Sequence, residues 1–361
     1  MYLAGSGNGS ILIKRKAFTD SVKVGDHMGN PTINDVARVA KTSKSTVSRF
    51  LNGYTVKKET EQALRSAIKE LKYHPNVNAR RLVKNHTRAI GIVVDDIANN
   101  FYSDILRGIE MVANSHGYQC IYYSRTSNYQ GEYGFMDLAQ ERQVDGLILV
   151  SFLKRSRGLI EKVKALSTPI VLIGDTNKND SVSSVDVDNE FGIREVVHYL
   201  HRIGHRKIGY ISGPEEFSST YWRRKGYEGA LENLHLKSDP SWIVASNWSE
   251  EGGHRAMREL LNINGITAVI ASNDETAIGA LLCANELGYQ VPLDISVVGF
   301  DDIPVSKWVY PPLTTVKQPL YQMGEKAGLE LIKKLNGEKE RLPERLLIKP
   351  KLIARQSCRN L

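Results

Sequence analysis

The chain has 361 residues, 41% hydrophobic and 24% charged, which is enough for two or three domains with buried cores and too apolar for a disordered protein. Its net charge of +8 is unevenly placed: residues 28–88 hold 13 Lys and Arg against 4 Asp and Glu, the first 27 residues add +2, and the remaining 273 carry −3. A basic front on a mildly acidic body excludes a generally sticky protein and points to a nucleic-acid reader, while the lack of long apolar runs excludes a membrane-spanning helix, and three widely spaced cysteines, Cys120, Cys283 and Cys358, fit a reducing cytoplasm and no disulfide framework.

Residues 1–27 combine a Gly/Ser stretch at 5–10 with the triplet Ile11-Leu12-Ile13, too short for a signal-peptide core. We read them as a disordered extension from an upstream start, with Met28 the functional start. The alternative is a basic arm that lays Lys14, Arg15 and Lys16 on DNA.

Residues 28–75 read as a three-helix head. Thr32 and Asp35 stand at capping-box spacing, and Ile33, Val36, Ala37 and Ala40 form one apolar stripe at helical period. Lys41-Thr42-Ser43 breaks the stripe, and Ser43 is a second N-cap. The helix that follows buries Val47, Phe50 and Leu51. Its other face carries Lys44, Ser45, Thr46, Ser48, Arg49 and Asn52, and no acid. A third helix over 59–71 closes a small core with Leu64, Ala67, Ile68 and Leu71. This is a helix-turn-helix pattern whose second helix offers hydroxyls and cations to phosphates and base edges. A solvated surface module is the alternative; the acid-free face and the third helix argue against it. Residues 76–84 (NVNARRLVK) are basic and weakly apolar. A helix that short is unstable alone and would order on binding.

From Arg88 short apolar runs alternate with amphipathic helices. Strands are expected at 89–94, 119–123, 146–150 and 170–173, with helices at 104–115 and 132–142. The alternation restarts at 206–212, where RKIGYIS echoes RAIGIVV at 88–94, and strands follow at 242–245, 268–271 and 296–299. Repeated βα units imply parallel sheets covered on both faces. Two such runs imply two doubly wound subdomains, with a ligand beyond the strands' carboxyl ends, in the cleft between lobes. His198, His201 and His205 cluster on a helix and its C-terminal turn. The spacing of His201 and His205 would suit a metal, but a surface helix end is the favoured reading. No P-loop, HExxH, GxSxG or paired zinc-ligand motif occurs.

The head TINDVARVAKTSKSTVSRFLNG, the segment PNVNARRL and the body motifs VDGLIL, DNEFG, GHRKIGYISGP, SNDETAIGA, VPLDISVVGFDD and PPLTTVKQP resemble the LacI/GalR transcriptional regulators in order and spacing, from about Thr32 to Ser357. The resemblance implies an α/β fold: an N-terminal all-α helix-turn-helix head (28–75), a hinge helix and linker (76–87), and a periplasmic-binding-protein-like core (88–361). The core would divide into an N-subdomain of about 88–187 plus 317–346 and a C-subdomain of about 188–316 plus 347–361. It implies that Lys44, Ser45 and Arg49 touch base edges, Arg49 suiting a guanine, and that Thr32, Ser43, Thr46, Ser48 and Asn52 touch phosphates. Asn78, Ala79, Arg80 and Leu82 match the minor-groove hinge, with Leu82 the wedge between base steps. Lys57 departs from the pattern, where relatives often carry a capping Ser.

For the effector the resemblance assigns Asp96, Phe101 and Tyr102 on the first lobe, with Asp175 and Asp95 as further acceptors. On the second lobe it assigns Phe217, Ser219, Arg223, Trp248, Asn273 and Asp301. Carboxylates and amides that exchange hydrogen bonds with hydroxyls, beside aromatic faces, suit a polyol. Phe217 stands where purine-sensing members carry a basic residue, which favours a sugar or sugar derivative. The implied protein is a cytoplasmic homodimer or tetramer on a pseudo-palindromic operator, without cofactor, metal or catalytic step. The competing readings are a purine-type corepressor system, a periplasmic solute-binding protein and a sugar-acting enzyme. The basic head opposes the second, and the missing catalytic motifs oppose the third.

Overall fold

The computed structural model describes residues 31–74, 86–125, 134–174, 182–338 and 345–361. The expected N-terminal extension, the hinge positions Asn78, Ala79, Arg80 and Leu82, and Asp175 lie outside the described residues. The chain divides into two compact units, Met1–Lys84 and Asn85–Leu361.

In the first unit the described residues form α1 (Ile33–Val39), α2 (Lys44–Leu51) and α3 (Lys58–Glu70). The Thr32 backbone N–H donates to Asp35 Oδ2 at 2.9 Å and its hydroxyl to the same oxygen at 2.7 Å, fixing the start of α1. Ser43 Oγ accepts the Thr46 N–H at 3.2 Å and starts α2. Val36, Val47 and Leu64 are wholly buried where the helices meet, with Ala37, Ala67 and Tyr73 around them and Ile33, Phe50, Leu51, Ile68 and Leu71 at the edge. α3 begins after Lys57, whose side chain makes no capping bond.

The second unit opens with β1 (Ala89–Val94), α4 (Ser103–Ser115), β2 (Gln119–Ser124), α5 (Met136–Gln140), β3 (Gly146–Val150), α6 (Arg157–Ala165), β4 (Ile170–Ile173) and β5 (Ser184–Val187). It continues with α7 (Asn189–Arg202), β6 (Ile208–Ser212), α8 (Ser218–Asn233), β7 (Ile243–Ala245), α9 (Glu250–Leu261), β8 (Ala268–Ala271), α10 (Asp274–Glu286) and β9 (Ser296–Val298). β10 (Thr315–Lys317), α11 (Leu320–Leu335), β11 (Arg345–Ile348) and β12 (Lys351–Ile353) follow.

Among the described residues, the first lobe's sheet runs β11-β5-β4-β3-β1-β2 and the second lobe's β7-β6-β8-β9, every neighbour parallel. β10 and β12 pair antiparallel beside the second lobe's core, where Val316 is buried and Leu352 packs. The chain then crosses back: Met323, Ala327, Leu331 and Ile332 of α11 fill the first lobe's core beside Ile105 and Ile109 of α4. β11 extends that lobe's sheet to Ile348, so the last crossing falls two residues beyond the expected boundary at 346.

β1, β3, β4 and β8 match the sequence expectation residue for residue, as fully buried parallel strands should. The helix expected over 132–142 is, among the described residues, a single turn and a half, Met136–Gln140, stopped where Arg142 turns to φ 53°. The strand expected from 242 starts at Ile243, because Pro240 sets a 3-10 turn that holds Trp242. In both sheets the order reverses beside the first strand laid down, between β1 and β3 and between β6 and β8. The residues that follow those strands therefore line the two crevices where ligands of such folds bind.

Candidate functional site

The head presents α2 as its working face. Lys44, Ser45 and Arg49 are exposed, and Thr46, Ser48 and Asn52 half-exposed. Ser43 Oγ lies 2.7 Å from Ser45 Oγ and 2.8 Å from Thr46 Oγ1, so three hydroxyls form one cluster at the N-terminus of α2. The backbone N–H groups that a helix N-terminus leaves without helical partners favour phosphate. Asn52 Nδ2 donates to Ser48 O at 2.9 Å, holding its amide against the helix end. Thr32 is exposed, and its hydroxyl is committed to Asp35.

In the second unit the site grows around one buried cation. Arg223, on α8, is 4% exposed. Its Nε donates to Asn189 Oδ1 at 2.8 Å and its Nη1 to Ser272 O. Its Nη2 stands 3.6 Å from Asp301 Oδ1, and its flat face lies 3.9 Å from the centre of the Phe300 ring. A buried guanidinium needs such compensation, since an unpaired buried charge is very costly. Burial pushes the Asp301 carboxyl well above the ordinary carboxylate range; Arg223 pulls it back, and nearby Asp274 pushes it further up. Gln318 Nε2 donates to Asp301 Oδ1 at 2.6 Å.

Aromatic rings wall this cluster. Trp248 follows β7; its Nε1 donates to Ser272 Oγ at 2.9 Å, and its ring lies 4.3 Å from that of Phe217. Gly213, at the end of β6, makes room for the indole: a Cβ there would come within 1.9 Å of Trp248 Nε1. Asn273 caps α10 through the Thr276 N–H at 3.0 Å and donates to Trp248 O at 3.2 Å. Trp248 and Asp301 both sit at positive φ, 63° and 124°. Side chains of this size adopt that backbone where surrounding structure over-determines it, as at ligand clamps.

From the first lobe, Phe101 meets Phe152 edge to face at 5.5 Å. Asp95, beyond β1, accepts from Arg125 Nη1 at 2.8 Å, from Ser151 Oγ at 2.8 Å and from the Tyr102 hydroxyl at 3.4 Å. The two lobes are tied by main chain here. Lys154 N–H donates to Glu216 O at 2.8 Å, Ser218 N–H donates to Phe152 O at 3.2 Å, and Leu153 bridges Phe217 antiparallel.

Residues 32–76 match the model of bacterial regulatory proteins of the lacI family, and residues 197–358 the periplasmic binding protein-like domain. Over 332 residues the chain is 36% identical to the HTH-type transcriptional repressor CytR of Escherichia coli (strain K12), covering 91% of this chain and 97% of that one. The chain belongs to the LacI family. It is 33% identical over 331 residues to the HTH-type transcriptional repressor PurR of Escherichia coli O1:K1 / APEC, 90% and 96% of the two chains. The lac repressor dimer bound to operator and the anti-inducer ONPF superposes with a TM-score of 0.79 at 27% identity, covering 91% and 99%. The complex of the transcriptional regulator CelR with cellobiose gives 0.67 at 31% identity, with the same coverage. This LacI-family protein is accordingly a DNA-binding transcriptional regulator of the repressor kind, with an effector-binding body.

Within this LacI-family body the structure brings Phe217, Arg223, Trp248, Asn273 and Asp301 into one connected cluster. Ser219 is buried beside them on α8. Tyr102, on the first lobe, is 6% exposed; its ring packs in that lobe's core and its hydroxyl donates to Asp95 Oδ2 at 3.4 Å. Asp96 caps its own turn, accepting the Ala98 N–H at 2.9 Å. Sequence reasoning missed Asn189, Ser272, Phe300 and Gln318 as partners of Arg223 and Asp301. Their signal was present, since all four lie inside or beside the motifs DNEFG, SNDETAIGA, GFDD and VKQP. His205 corrects a further expectation. It is wholly buried, with Nδ1 2.9 Å from Thr267 Oγ1, and burial lowers its pKa to about 4. The chain turns inward after α7, so His205 is a core residue and not a surface helix end.

Proposed function

We propose that this protein is a cytoplasmic, homodimeric repressor that reads a pseudo-palindromic operator and is controlled by a sugar or sugar derivative held between its lobes, acting by binding alone. The buried Arg223–Asp301 pair against Phe217 and Trp248 carries the effector assignment. The carboxylate accepts hydroxyl protons, Arg223 and Asn273 donate in return, and the rings cover the C–H face of a pyranose. The cellobiose held by CelR supports the same class.

The exposed face of α2 supports the DNA role, with Lys44, Ser45 and Arg49 at base edges and Ser43, Thr46, Ser48 and Asn52 at phosphates, and with Thr32, exposed at the start of α1, at a further phosphate. Asn78, Ala79, Arg80 and Leu82 would enter the minor groove as a hinge that orders on the duplex. Dimerisation is supported by large apolar side chains left in water on the second lobe, including Trp308 at 78% and Tyr310 at 93% exposure. The lac repressor relative is itself a dimer on operator.

A thermal-shift screen of the full chain against neutral sugars, sugar phosphates and nucleobases tests the effector class, because a ligand selective for the folded form raises its melting temperature. A sugar that raises it in the native chain and leaves Asp301→Ala unmoved is the expected result. A response to nucleobases alone would overturn the assignment. Selection from random duplexes tests the DNA role, and enrichment of no two-fold-related site would overturn it.

A further inference from the structure

We propose that Tyr54 is a positioning residue for Arg49, holding the guanidinium in the pose in which it reads a base; the inference rests on the base-reading role of Arg49. α2 ends in a Schellman motif. Gly53 takes φ 82° and its N–H donates to Phe50 O at 3.0 Å, while the Tyr54 N–H donates to Arg49 O at 3.0 Å. That double bond pattern brings the side chains of the sixth and first residues of the motif together, ordinarily as an apolar contact. Here the two residues are Tyr54 and Arg49, and the guanidinium carbon lies 6.0 Å from the centre of the Tyr54 ring. Tyr54 is 62% exposed, an aromatic ring that the head's core does not use.

The chemistry of Arg49 needs such a restraint. No ion pair to Arg49 occurs among the described residues, whereas Arg38 and Arg65 of the same head pair with Asp35 and Glu61 at 2.7 Å. A free arginine surrenders rotamer freedom when it fixes on a guanine edge. A ring beside it, itself anchored through the backbone to Arg49's own carbonyl, limits that loss and leaves every N–H of the fork available to the base. Among the described residues of the head no cation–ring contact involves Lys44 at the other end of α2, so the effect should fall on the base pair that Arg49 reads, one per half-site.

The test uses the full-length protein and a duplex selected by it from random sequence. Arg49→Ala first identifies the base pair whose preference it flattens. Discrimination at that pair is then measured for Tyr54→Phe, Tyr54→Ala and the Arg49→Ala/Tyr54→Ala double variant. Tyr54→Phe should keep the native discrimination, because the ring face is what matters. Tyr54→Ala should lose about two- to five-fold at that pair and none elsewhere. In the Arg49→Ala background, loss of Tyr54 should add nothing. Uniform weakening by Tyr54→Ala at every base pair, or a full further loss in the double variant, would mean that Tyr54 touches DNA itself and would overturn the proposal. If Arg49→Ala flattens no position, the base-reading role fails first and the proposal falls with it; if it flattens one that Tyr54→Ala leaves intact, the proposal alone falls.

Discussion

Truncation of Arg223 to alanine is the sharpest perturbation of the effector cluster. It removes donors from Asn189 Oδ1 and Ser272 O and the cation 3.6 Å from Asp301, leaving that carboxylate only 10% exposed and without its partner. Breaking a buried pair from one side costs about 3–5 kcal/mol, against total stabilities of about 5–15 kcal/mol for a domain. The body's melting temperature should fall on the order of 10 °C at pH 8. The sign with pH follows from Asp301. Its carboxyl is already pushed up by burial, and without Arg223 it rises further, so the folded variant takes up a proton more readily than the unfolded chain. The penalty is therefore full above the raised pKa and relieved below it, and the deficit should shrink as pH falls from 8 to 6. Replacing both partners, Arg223→Met with the near-isosteric Asp301→Asn, should recover part of the stability while abolishing effector binding, because no charge is then left buried without its partner and the Gln318 amide keeps an acceptor at that left-handed backbone position. Thermal unfolding followed by circular dichroism at both pH values measures all of this. A single variant that melts with the native chain at pH 8, or a double variant no more stable than the single, would refute the view that these groups are mutually compensating.

Three further outcomes follow from the geometry. Gly213→Ala places a methyl 1.9 Å from Trp248 Nε1, so the indole must leave Ser272; effector affinity should drop at least about tenfold with a shift in tryptophan emission, and native calorimetry would refute the packing argument. Effector affinity should weaken as pH falls from 8 to 6, since the ionised Asp301 carboxylate is the stronger acceptor of hydroxyl hydrogen bonds and its carboxyl titrates above the usual range; a flat calorimetric profile would show that the effector does not bind through the ionised carboxylate. Lys57→Ser supplies the side-chain cap that α3 lacks and should add about 1 kcal/mol to the head, visible as slower amide exchange in the first turn of α3; unchanged exchange would show that another group already caps it.

The sequence made the head legible because its signals are local. Thr32 and Asp35, the Ser43 cap and the stripe through Val36 and Val47 act within one or two helical turns, and the structure repeats them. The central strands were equally plain, since a strand buried on both faces is a continuous apolar run. Less legible were β5, β10, β11 and β12, which pair with strands well separated along the chain: Arg345 pairs with Ser184, and Thr315 with Ile353. Nothing in SVDV or RLLI announces a neighbour more than 100 residues away. The site divides the same way. Motif resemblance picked out Arg223, Asp301 and Trp248, which the structure joins in one cluster, but not their partners Asn189, Ser272 and Gln318, because a motif does not say which of its side chains bond to one another.

The arrangement also bears on how the site could report its occupancy. A ligand shifts an equilibrium between lobe arrangements by the difference in its affinity for them, so some contact must change when the lobes do. Phe217 is placed for that: it is carried by the second lobe, lies against Trp248 with the rings tilted at 43°, packs against the first lobe's core and bridges Leu153. Gln318 is the other such residue, since it donates to Asp301 from the segment where the chain passes from β10 back to α11. Its Oε1 is buried and accepts no hydrogen bond in the described protein. A buried acceptor without a partner is a cost that a ligand or a small lobe displacement can relieve. The polar half of the cluster is thus bonded directly to a crossing segment, and the aromatic half to the main-chain bridge between the lobes, so a displacement of either half is felt at a connection between them.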